Sequence, residues 1–418
     1  MGINNKKIAI IGSGIAGLSA VHMLEKNNHI TLFEKNKKIG GHTNTHTISS
    51  GIDEGLNIDT GFIVMNHQNY PLLSKLFTDL NVELHDSNMT FSYHDKKSNL
   101  QYCGNGINGI FAQRRNIINP YFLSMISEIL RFYKIAKKDL NMENFGNESL
   151  GEYLNKHNFK KNFIIHHLIP MGSAIWSTPC NDMMYFPAYN FINFLNNHGL
   201  LSLKNRPLWK TVIGGSETYI RKMQKKWNNV KIVTNSNIQS IKSFSDHVKI
   251  LHNNEILLFD EVIIATHANQ VLALLDNPDS TDIDFFNSWK YAKSKVFLHT
   301  DNSVMPPIRN TWSSWNFKRI NEIDTSLSYY MNSLQLLQTN SDYFVSLDLP
   351  YEPRNVIYEV NYEHPIFTNK VIQRRDKLIS KNGNNRIWFT GSYLGNGFHE
   401  DAVKSSMDVV IKIGKNYE

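Results

Sequence analysis

The stretch from Lys6 to Lys35, KKIAIIGSGIAGLSAVHMLEKNNHITLFEK, decides the fold. A short apolar run leads into a glycine turn, which is followed by a helix-like composition without proline and then by a second apolar run. The pattern predicts a strand over Ile8–Ile11, a helix over Ile15–Lys26 and a strand over Ile30–Phe33. The glycines have the G-x-G-x-x-G spacing of a dinucleotide-binding turn. The sequence therefore predicts a Rossmann-type α/β unit in this region.

The three glycines have separate roles in such a turn. Gly12 makes the tight turn, Gly14 lets backbone N–H groups approach a pyrophosphate, and Gly17 lets the helix pack on the strand. The helix N-terminus adds partial positive charge for the phosphates. Glu34 follows 20 positions after Gly14, where a carboxylate accepts hydrogen bonds from a ribose diol and disfavours a 2′-phosphate. The predicted nucleotide contacts of this unit also include Ser13, Ala16 and Lys35.

A second match to the same spacing occurs in CGNGING, at Gly104, Gly106 and Gly109. We interpret it as a turn without a nucleotide site, because the preceding HDKKSNLQY does not have the pattern of an apolar strand. Pro120 is expected to end early any helix that follows, and Ile126 stands at the position of the acid. Only the first match has the strand and helix that the motif requires.

A glycine pair follows the ribose-binding acid in FEKNKKIGGHT, residues 33–43. A nicotinamide dehydrogenase does not need two glycines here, whereas a longer cofactor needs close backbone approach at its far end. Gly40 and Gly41 would allow that approach to the ribityl chain and isoalloxazine ring of a flavin. Asp59, Thr60 and Gly61 again place a glycine close behind an acid, after the next strand. These residues indicate FAD as the cofactor.

The composition is typical of a globular protein with room for two or more domains. The chain has 418 residues, of which 41% are hydrophobic, a formal charge of +7 and a pI near 9.0. Lysine is spread along the chain and does not cluster with stacking aromatic residues, so nucleic-acid binding is not expected. A weak attraction to anionic lipid head groups agrees with the positive charge.

The cysteines and the apolar runs indicate the cellular compartment in which we expect the protein. Cys103 and Cys180 give neither a disulfide framework nor a CxxC pattern, so we expect a reducing compartment and no metal site. No apolar run reaches the roughly 18 residues of a membrane span, and the first apolar run belongs to the predicted strand and helix instead of a signal peptide. We expect a cytoplasmic protein that contacts at most the inner face of the membrane.

Three separated segments have the pattern of one nucleotide-binding domain. Besides the first unit, residues 209–267 contain an alternating β-meander followed by the buried strand in FDEVIIATHA. The third segment has a strand from Ile387 to Thr390, a glycine turn and a helix from about Glu400. The sequence predicts a discontinuous cofactor domain (residues 1–75, 206–270 and 375–418) and an inserted α+β substrate domain (residues 76–205 and 271–374).

The motifs GSGIAG, FEKNKKIGGH, DTGF, ATHA and WFTGSYLGNGFHEDAV together resemble the superfamily of FAD-dependent amine oxidases, protoporphyrinogen oxidases and phytoene desaturases. Stretches such as GFIVMNHQNYPLL, PMGSAIWSTP and NHGLLSLKNRPLWKTVIGGSETYI are similar to bacterial NAD/FAD-binding proteins that look like the N-terminal flavoprotein half of plant cyclopropane fatty acid synthases. The resemblance covers essentially the whole chain. It implies an amine-oxidase-like fold with the cofactor domain split as above.

The resemblance also implies cofactor contacts in all three segments. In the first segment, the implied ADP contacts are Gly12, Gly14, Gly17 and Glu34, and the implied contacts near the flavin ring are Gly40, Gly41, His42 and Thr43. In the second segment, Ile238 would contact the adenine, and Ala265 and Thr266 would lie beneath the cofactor. In the third segment, Gly391 and Ser392 would contact the diphosphate, and Asp401, Ala402 and Val403 would contact the flavin carbonyl edge. Ser392 stands where superfamily members often have an acid, and a neutral donor still contacts phosphate. Members with covalent flavin use a cysteine in this region, which this chain lacks, so non-covalent FAD is implied.

Aromatic residues dominate the candidates for the substrate side of the flavin. The candidate lining residues are Trp176, Trp209, Tyr393, Phe398, His399 and Asn66. His399 is the first choice for proton transfer, because it precedes the helix expected at the flavin and an imidazole titrates near neutrality. The alternative is a structural histidine bonded to backbone. Tyr393 and Trp176 are the other predicted catalytic residues, and Trp312 and Trp315 are interpreted as core residues.

The expected activity is oxidation of an apolar substrate. The inserted segments are rich in Trp, Met and Phe, which suits an apolar ligand and an ordinary core equally. The resemblance to a flavoprotein fused to a lipid methyltransferase implies desaturation, isomerisation or another oxidation of unsaturated or methyl-branched phospholipid acyl chains, with such a methyltransferase as partner. Two alternatives stay open, namely a flavin amine oxidase acting on a small amine and a non-catalytic FAD-containing partner of a lipid methyltransferase.

Overall fold

A computed structural model describes residues 5–204, 206–322 and 324–415 of the chain. Within these residues, the strands are β1 (Lys7–Ile11), β2 (His29–Phe33), β3 (Thr45–Thr47), β4 (Asn57–Asp59), β5 (Val64–Met65), β6 (Leu84–Ser87), β7 (Phe91–Asp95), β8 (Leu100–Cys103), β9 (Trp209–Val212), β10 (Val230–Val233), β11 (Ile238–Ser243), β12 (Val248–His252), β13 (Glu255–Phe259), β14 (Glu261–Ile264), β15 (Lys290–His299), β16 (Trp315–Arg319), β17 (Thr325–Tyr330), β18 (Phe344–Leu347), β19 (Val356–Ile366) and β20 (Ile387–Phe389).

The α-helices of the described residues are α1 (Ile15–Leu24), α2 (Pro71–Asp79), α3 (Gly106–Ile110), α4 (Pro120–Asn141), α5 (Leu150–Lys156), α6 (Lys161–Phe163), α7 (Ile169–Trp176), α8 (Cys180–Met183), α9 (Ala188–Asn197), α10 (Glu217–Gln224), α11 (Ser280–Phe286), α12 (Met331–Leu334), α13 (Asn369–Lys381) and α14 (His399–Lys415). A π-helical turn over Ile164–Leu168 joins α6 to α7.

A five-stranded parallel sheet with the order β10-β2-β1-β14-β20 contains the predicted nucleotide-binding unit. All four residues from Glu261 to Ile264 in β14 are buried, and so are the four from Ile8 to Ile11 in β1. Strands covered on both faces have continuous apolar runs, as in the centre of parallel sheets. The predicted Rossmann-type fold is confirmed, and α14 packs against α1 beside the sheet.

A seven-stranded mixed sheet with the order β19-β15-β18-β17-β16-β7-β8 is formed by the segments predicted to bind substrate. Its pairs are antiparallel except for β16 and β7, which run parallel although they come from opposite halves of the chain. The predicted meander is present as β11-β12-β13. Strand β6, from the predicted substrate segments, pairs with β9, from the cofactor segments. The two-domain division itself stays a prediction.

The second glycine motif has a different structure from the one expected. Strand β8 ends immediately before it and the five-residue helix α3 follows. Strand β8 pairs antiparallel with β7 and so is not the first strand of a parallel β-α-β unit. Its polar residue Gln101 is buried with its side chain hydrogen-bonded. A sequence pattern that requires apolar residues at buried positions therefore does not detect this strand. Pro120 does not end a helix but starts the 22-residue α4, with Asn119 as its N-cap.

Candidate active site

The turn between β1 and α1 contains three glycines with different surroundings. Gly12 has a φ of +100°, and a Cβ there would lie 2.7 Å from the carbonyl oxygen of Ala265. A Cβ on Gly17 would fall on the carbonyl oxygen of Gly12. Among the described residues, nothing lies within 4 Å of the same position on Gly14. Gly12 and Gly17 therefore permit the turn and the helix packing, whereas Gly14 leaves room for a ligand.

Glu34 follows β2 and closes the turn from the other side. One carboxylate oxygen accepts hydrogen bonds from the Ser13 backbone N–H at 3.0 Å and from the Ser13 hydroxyl at 2.6 Å. The other oxygen accepts two from Asn36, each at 2.9 Å. Glu34 is 7% exposed and faces a large cavity. A carboxylate has further lone pairs, so Glu34 can also accept from a ribose diol.

The second glycine pair folds back onto the first turn. Gly41 has a φ of +59°, and a Cβ there would lie 3.1 Å from the Cα of Gly14. Gly40 has a φ of +126° and donates its backbone N–H to the Ser13 carbonyl at 3.1 Å. Both conformations favour glycine. The acid and the glycine pair of FEKNKKIGGHT therefore meet at one loop, because Glu34 binds the Ser13 backbone and the pair packs against the same turn.

A cavity of about 1560 Å³ is lined by the glycine turn and by residues of the seven-stranded sheet. The predicted site residues that line it are Gly12, Ser13, Gly14, Ala16, Glu34, Lys35, Gly41, His42, Thr43, Gly61, Trp176, Ile238, Ala265, Thr266, Gly391, Ser392, Tyr393, His399 and Ala402. The predicted residues outside this lining are Gly17, Gly40, Asp59, Thr60, Asp401 and Val403. Residues from all three predicted cofactor segments meet at this cavity. Its volume exceeds that of an ordinary single-ligand pocket.

Two of the residues outside the lining stabilise loops that form the cavity wall. Asp59 is fully buried and accepts hydrogen bonds from Thr45 Oγ1 at 2.6 Å and from the Ser216 backbone N–H at 2.9 Å. Asp401 accepts a hydrogen bond from the Phe398 backbone N–H at 2.9 Å, and burial raises the pKa of Asp401 to about 6. Their carboxylates are engaged within the protein, so the placement favours a positioning role for both.

His399 lies at the start of α14 with its ring stacked on Phe62, and the two ring centroids are 3.8 Å apart. Its Nε2 is 3.2 Å from Thr43 Oγ1, which is also hydrogen-bonded to the Tyr219 hydroxyl. Burial lowers the pKa of His399 to about 3. The ring is therefore neutral at physiological pH, which corrects the expectation that it titrates near neutrality. Its partner is a side chain and not the backbone group of the alternative interpretation.

Tyr393 and Trp176 present aromatic surfaces to the cavity. Tyr393 packs against the rings of Phe285 and Trp289, with centroids 6.2 Å and 5.8 Å away. Burial raises the pKa of Tyr393 well above its usual range. Trp176 donates its indole N–H to the carbonyl oxygen of Asn396 at 3.2 Å. Neither side chain carries a group that titrates near neutral pH, so we expect them to shape the cavity and not to transfer protons.

A group of histidines surrounds His42, and no sequence motif predicts it. His42 stacks on Tyr362 with centroids 4.8 Å apart and lies edge-on to His364 at 5.2 Å. The His267 ring is 5.9 Å away, and its Nδ1 is 3.6 Å from Glu363 Oε2. Burial, and then the neighbouring His364, lower the pKa of His42 well below its usual range. Over the described ranges, no group of three His, Cys, Asp or Glu side chains is placed to hold a metal ion.

The cavity residues fit a flavin dinucleotide. His42 Nε2, His364 Nδ1 and the Tyr393 hydroxyl are buried and have no hydrogen-bond partner in the part of the chain that the structure describes. All three residues line the cavity, and buried polar atoms of this kind normally bind a partner. Open space at Gly14 suits a diphosphate, and the carboxylate of Glu34 suits a ribose. A long cofactor with phosphates, ribose and a polar ring matches this set of groups.

Helices α4, α7 and α9 and strand β7 contribute a part of the cavity that no short motif marks. Its lining includes Met89, Phe91, Tyr102, Tyr133, His167, Met171, Ile175, Phe194, Leu200, Arg206 and Leu208. Of the other candidates, Trp209 and Phe398 line the cavity, and so does Trp315, for which the sequence predicts a place in the core. Asn66 and Trp312 lie outside the lining. The enrichment in Met and aromatic residues is the signal that points to this region, without selecting its members.

The fold and the cavity together define an FAD-dependent oxidoreductase. Residues 15–339 match the family described as flavin containing amine oxidoreductase, and the chain belongs to that family. The predicted superfamily, the flavin cofactor and the enzyme class are thereby confirmed. No helix formed by the described residues has both the length and the apolar character needed to cross a membrane.

Several known proteins are similar to the chain. Coproporphyrinogen III oxidase of Staphylococcus aureus (strain NCTC 8325 / PS 47) is 24% identical over 294 residues, a match that covers 62% of this chain and 60% of that protein. The match thus spans about three fifths of the relative's length. The solved structure of putrescine oxidase with bound putrescine has a TM-score of 0.69 at 14% identity, covering 98% of this chain and 99% of that one. A CLA-producing fatty acid isomerase from P. acnes has a TM-score of 0.70 at 13% identity, covering 97% and 98%. At these identities the structural likenesses show a shared fold.

Proposed function

We propose that the protein desaturates or otherwise oxidises unsaturated or methyl-branched acyl chains of phospholipids, or isomerises them without net oxidation. The observation that carries the proposal is the apolar lining where α4, α7, α9 and β7 meet the cavity. Six of its side chains are Met89, Phe91, Met171, Ile175, Trp176 and Phe194. Among the described residues, the predicted substrate segments contribute a single carboxylate to the cavity, that of Glu363. This lining favours an uncharged acyl chain over a polyamine.

The aromatic side chains would orient a bound chain and exclude water. The Phe194 ring lies 4.7 Å from the Trp176 ring and 4.7 Å from the Phe398 ring, so the three form a continuous layer. The neutral ring of His399 places no charge beside this layer, and its hydrogen bond to Thr43 fixes its orientation. FAD supplies the redox chemistry when bound, since a flavin accepts a hydride from carbon and passes the electrons to oxygen or another acceptor.

The similar proteins point to more than one substrate. A fatty acid isomerase shares the fold, and its named substrate agrees with the apolar lining. Putrescine oxidase shares the fold as well, so oxidation of a small amine is the second candidate. The observation behind this second candidate is the set of aromatic residues at the cavity, because aromatic faces also bind cations. The coproporphyrinogen III oxidase match adds a tetrapyrrole as a compound to test.

Anaerobic flavin reduction tests the proposal. The purified FAD-loaded protein is mixed, without oxygen, with detergent-dissolved phosphatidylcholine that carries an unsaturated or a methyl-branched acyl chain, and with putrescine and coproporphyrinogen III in parallel. We expect acyl substrates to bleach the flavin absorbance or to appear isomerised by mass spectrometry, and phosphatidylcholine with straight saturated chains to do neither. Bleaching by putrescine alone would overturn the proposal in favour of amine oxidation.

A test in cells addresses the predicted methyltransferase partner. The gene is expressed with and without a lipid methyltransferase, and the phospholipid fatty acids are compared by mass spectrometry. We expect a species two hydrogen atoms lighter, or one with a shifted double bond, and more of it when methylated chains are present. Identical fatty-acid profiles in every combination would contradict both the acyl substrate and the partner.

A further inference from the structure

Helix α4 separates its charges between its inner and outer faces. Its two acids, Glu128 and Asp139, are buried, and each has a partner: Glu128 pairs with the partly exposed Arg131 of the same helix at 2.9 Å, and Asp139 accepts from the Tyr153 hydroxyl at 2.8 Å. The lysines of α4 lie outside this buried set. Lys134 and Lys138 are exposed, one helical turn apart. The outer face of α4 therefore presents positive charge without an acid beside it on the helix.

Exposed apolar side chains share this outer face. Leu123 and Leu130 precede Lys134 and Lys138 at helical spacing on the same stripe, and both leucines are exposed. This face offers a lipid surface the two kinds of side chain that interfacial helices use, namely leucines that enter the head-group region and lysines that meet anionic lipids. The acids of α4 would oppose such contact if they pointed outward, and the structure turns them inward.

A loop that also combines exposed leucines with basic residues lies beside α4, where the cavity opens. Leu203 is 71% exposed and Leu208 is 74% exposed, with the exposed Lys204 and Arg206 between them. Lys137 of α4 donates a hydrogen bond to Ser202 Oγ at 2.7 Å, which ties the loop to the helix.

The loop and the helix both reach the cavity. Arg206 and Leu208 line it while remaining exposed, so the cavity meets the protein surface at these residues. Tyr133 of α4 lines the same cavity. An opening of the cavity therefore lies at the loop, next to the helix that carries the exposed leucines and lysines.

We propose that this surface, defined as the docking rim, binds an anionic phospholipid bilayer and aligns the cavity mouth with the acyl region. The docking rim consists of Leu123, Leu130, Lys134, Lys138, Leu203 and Lys204. The inference rests on the proposed acyl substrate, because a chain that is still part of a membrane lipid has to leave the bilayer to reach the cavity. Charge complementarity selects the occupant, since a lipid surface with negative head groups offers both the charge and the apolar layer that the docking rim requires.

Vesicle flotation of the FAD-loaded protein tests the docking rim. Vesicles of phosphatidylcholine mixed with phosphatidylglycerol are compared with vesicles of phosphatidylcholine alone, at low and high salt. We expect tighter binding to the mixed vesicles, weakened by salt. Lys134→Gln together with Lys138→Gln should weaken it by about fivefold for each lysine. The matched control is Lys225→Gln with Lys231→Gln, which removes the same charge from exposed positions near β10 and should leave vesicle binding almost unchanged.

A second variant and a second assay separate docking from catalysis. Leu203→Asp should reduce binding to mixed vesicles while leaving oxidation of a detergent-dissolved acyl substrate unchanged, because Leu203 lies outside the cavity lining. Equal binding to both vesicle types, or equal binding by the lysine variant and its control, would overturn the docking rim even if acyl oxidation in detergent persists. A lysine variant that loses methyltransferase binding but keeps vesicle binding would also overturn it. Tight binding to mixed vesicles without turnover of any acyl substrate would support the docking rim and contradict the proposed function.

Discussion

The cofactor end and the substrate end of the cavity are built by different means. At the cofactor end, β1, α1 and β2 follow one another, and residues within one short stretch already contact each other, as Ser13 and Glu34 do. At the substrate end, strands β7 and β16 come from opposite halves of the chain and pair in one sheet. The first region is specified by local spacing, and the second arises only when the whole chain has folded.

This difference predicts how the two regions respond to substitution. A glycine turn is constrained by backbone sterics, so a single added methyl group has a large effect there. The apolar lining consists of flexible side chains such as Met89 and Met171, and such cavities tolerate substitution with a change in shape. Changes at the cofactor end should therefore decide whether the protein folds and holds FAD, and changes at the substrate end should decide what it oxidises.

The largest effect is expected for Gly17→Ala. The new Cβ would fall on the carbonyl oxygen of Gly12, and overpacking against backbone should lower the free energy of unfolding by about 3 kcal/mol. Gly14→Ala is the matched control, because nothing in the described chain lies within 4 Å of the added atom. It should change the stability of the FAD-free protein by less than about 0.5 kcal/mol but weaken FAD binding. Thermal unfolding and flavin content measure the two effects, and equal stability losses in both variants would contradict the assignment.

Glu34→Ala should release FAD without unfolding the protein. Losing hydrogen bonds to a charged acceptor costs about 1.5 to 3 kcal/mol, or roughly ten- to a hundredfold in FAD affinity. Glu34→Gln keeps one acceptor oxygen in the same place and should lose less. Titration of the FAD-free protein with FAD, followed by the quenching of flavin fluorescence, gives both affinities. If flavin is retained unchanged in Glu34→Ala, the carboxylate serves only the Ser13 turn.

A smaller effect, confined to substrate choice, is expected for Met171→Phe. The larger ring would shorten the apolar part of the cavity, so the preferred acyl chain should become shorter while the FAD content stays the same. Each methylene withdrawn from water is worth about 0.8 kcal/mol, or about fourfold in affinity. Met23→Phe makes the same replacement at an exposed position of α1 and should leave chain-length preference unaltered. If Met171→Phe lost FAD but kept its substrate preference, Met171 would belong to the cofactor end, and the division between the two ends would be wrong.

The smallest change is expected in the pH profile of His399→Gln. Because burial lowers the pKa of His399 to about 3, the ring is neutral above about pH 4 and takes up no proton between about pH 5 and 9. The variant should alter the height of the kcat/KM profile over this range and leave its shape unchanged. Disappearance of a limb near pH 6 to 7 would show that His399 titrates in turnover.

The same depressed pKa gives the sign of a stability effect. Its usual value is 6.5 and its value in the folded protein is about 3, so the unfolded chain binds more protons between these values. The contribution of a neutral His399 to stability is present above about pH 6.5 and is lost as the pH falls toward 3. Acid should therefore destabilise the native protein more steeply than it destabilises His399→Gln, as chemical denaturation at several pH values would show.

The nucleotide-binding unit could be predicted from sequence because each of its constraints is local. The predicted strands and helices around β1, β14 and β20 agree with the structure to within two residues. The glycine spacing, the acid after β2 and the apolar runs of buried parallel strands are all visible in short windows. Asp59 and Asp401 show the limit of this approach, since a motif position does not say which way a side chain points.

The mixed sheet was harder to predict because its buried strands carry polar residues. Ser328 and Ser346 are buried on neighbouring strands with their hydroxyl oxygens 2.7 Å apart, and His299 Nε2 lies 2.8 Å from Ser346 Oγ. Because these hydrogen bonds satisfy the polar groups, the side chains can be buried although a hydrophobic pattern assigns them to the surface. The histidines around His42 escape prediction for a related reason, because they converge from three separate segments only in the folded protein.

The order of strands in the parallel sheet has a consequence for the newly made chain. Strand β1 starts at Lys7, but the sheet is completed by β20, which ends at Phe389. A ribosome that adds about 5–20 residues per second needs some tens of seconds to synthesise the intervening chain. Once β14 has been made, at Ile264, one of its flanks lacks its neighbour until β20 is synthesised, and unpaired strand edges invite association with other chains. From this topology we expect the nascent chain to be prone to association at this edge, and FAD to be captured only after synthesis of β20 and α14.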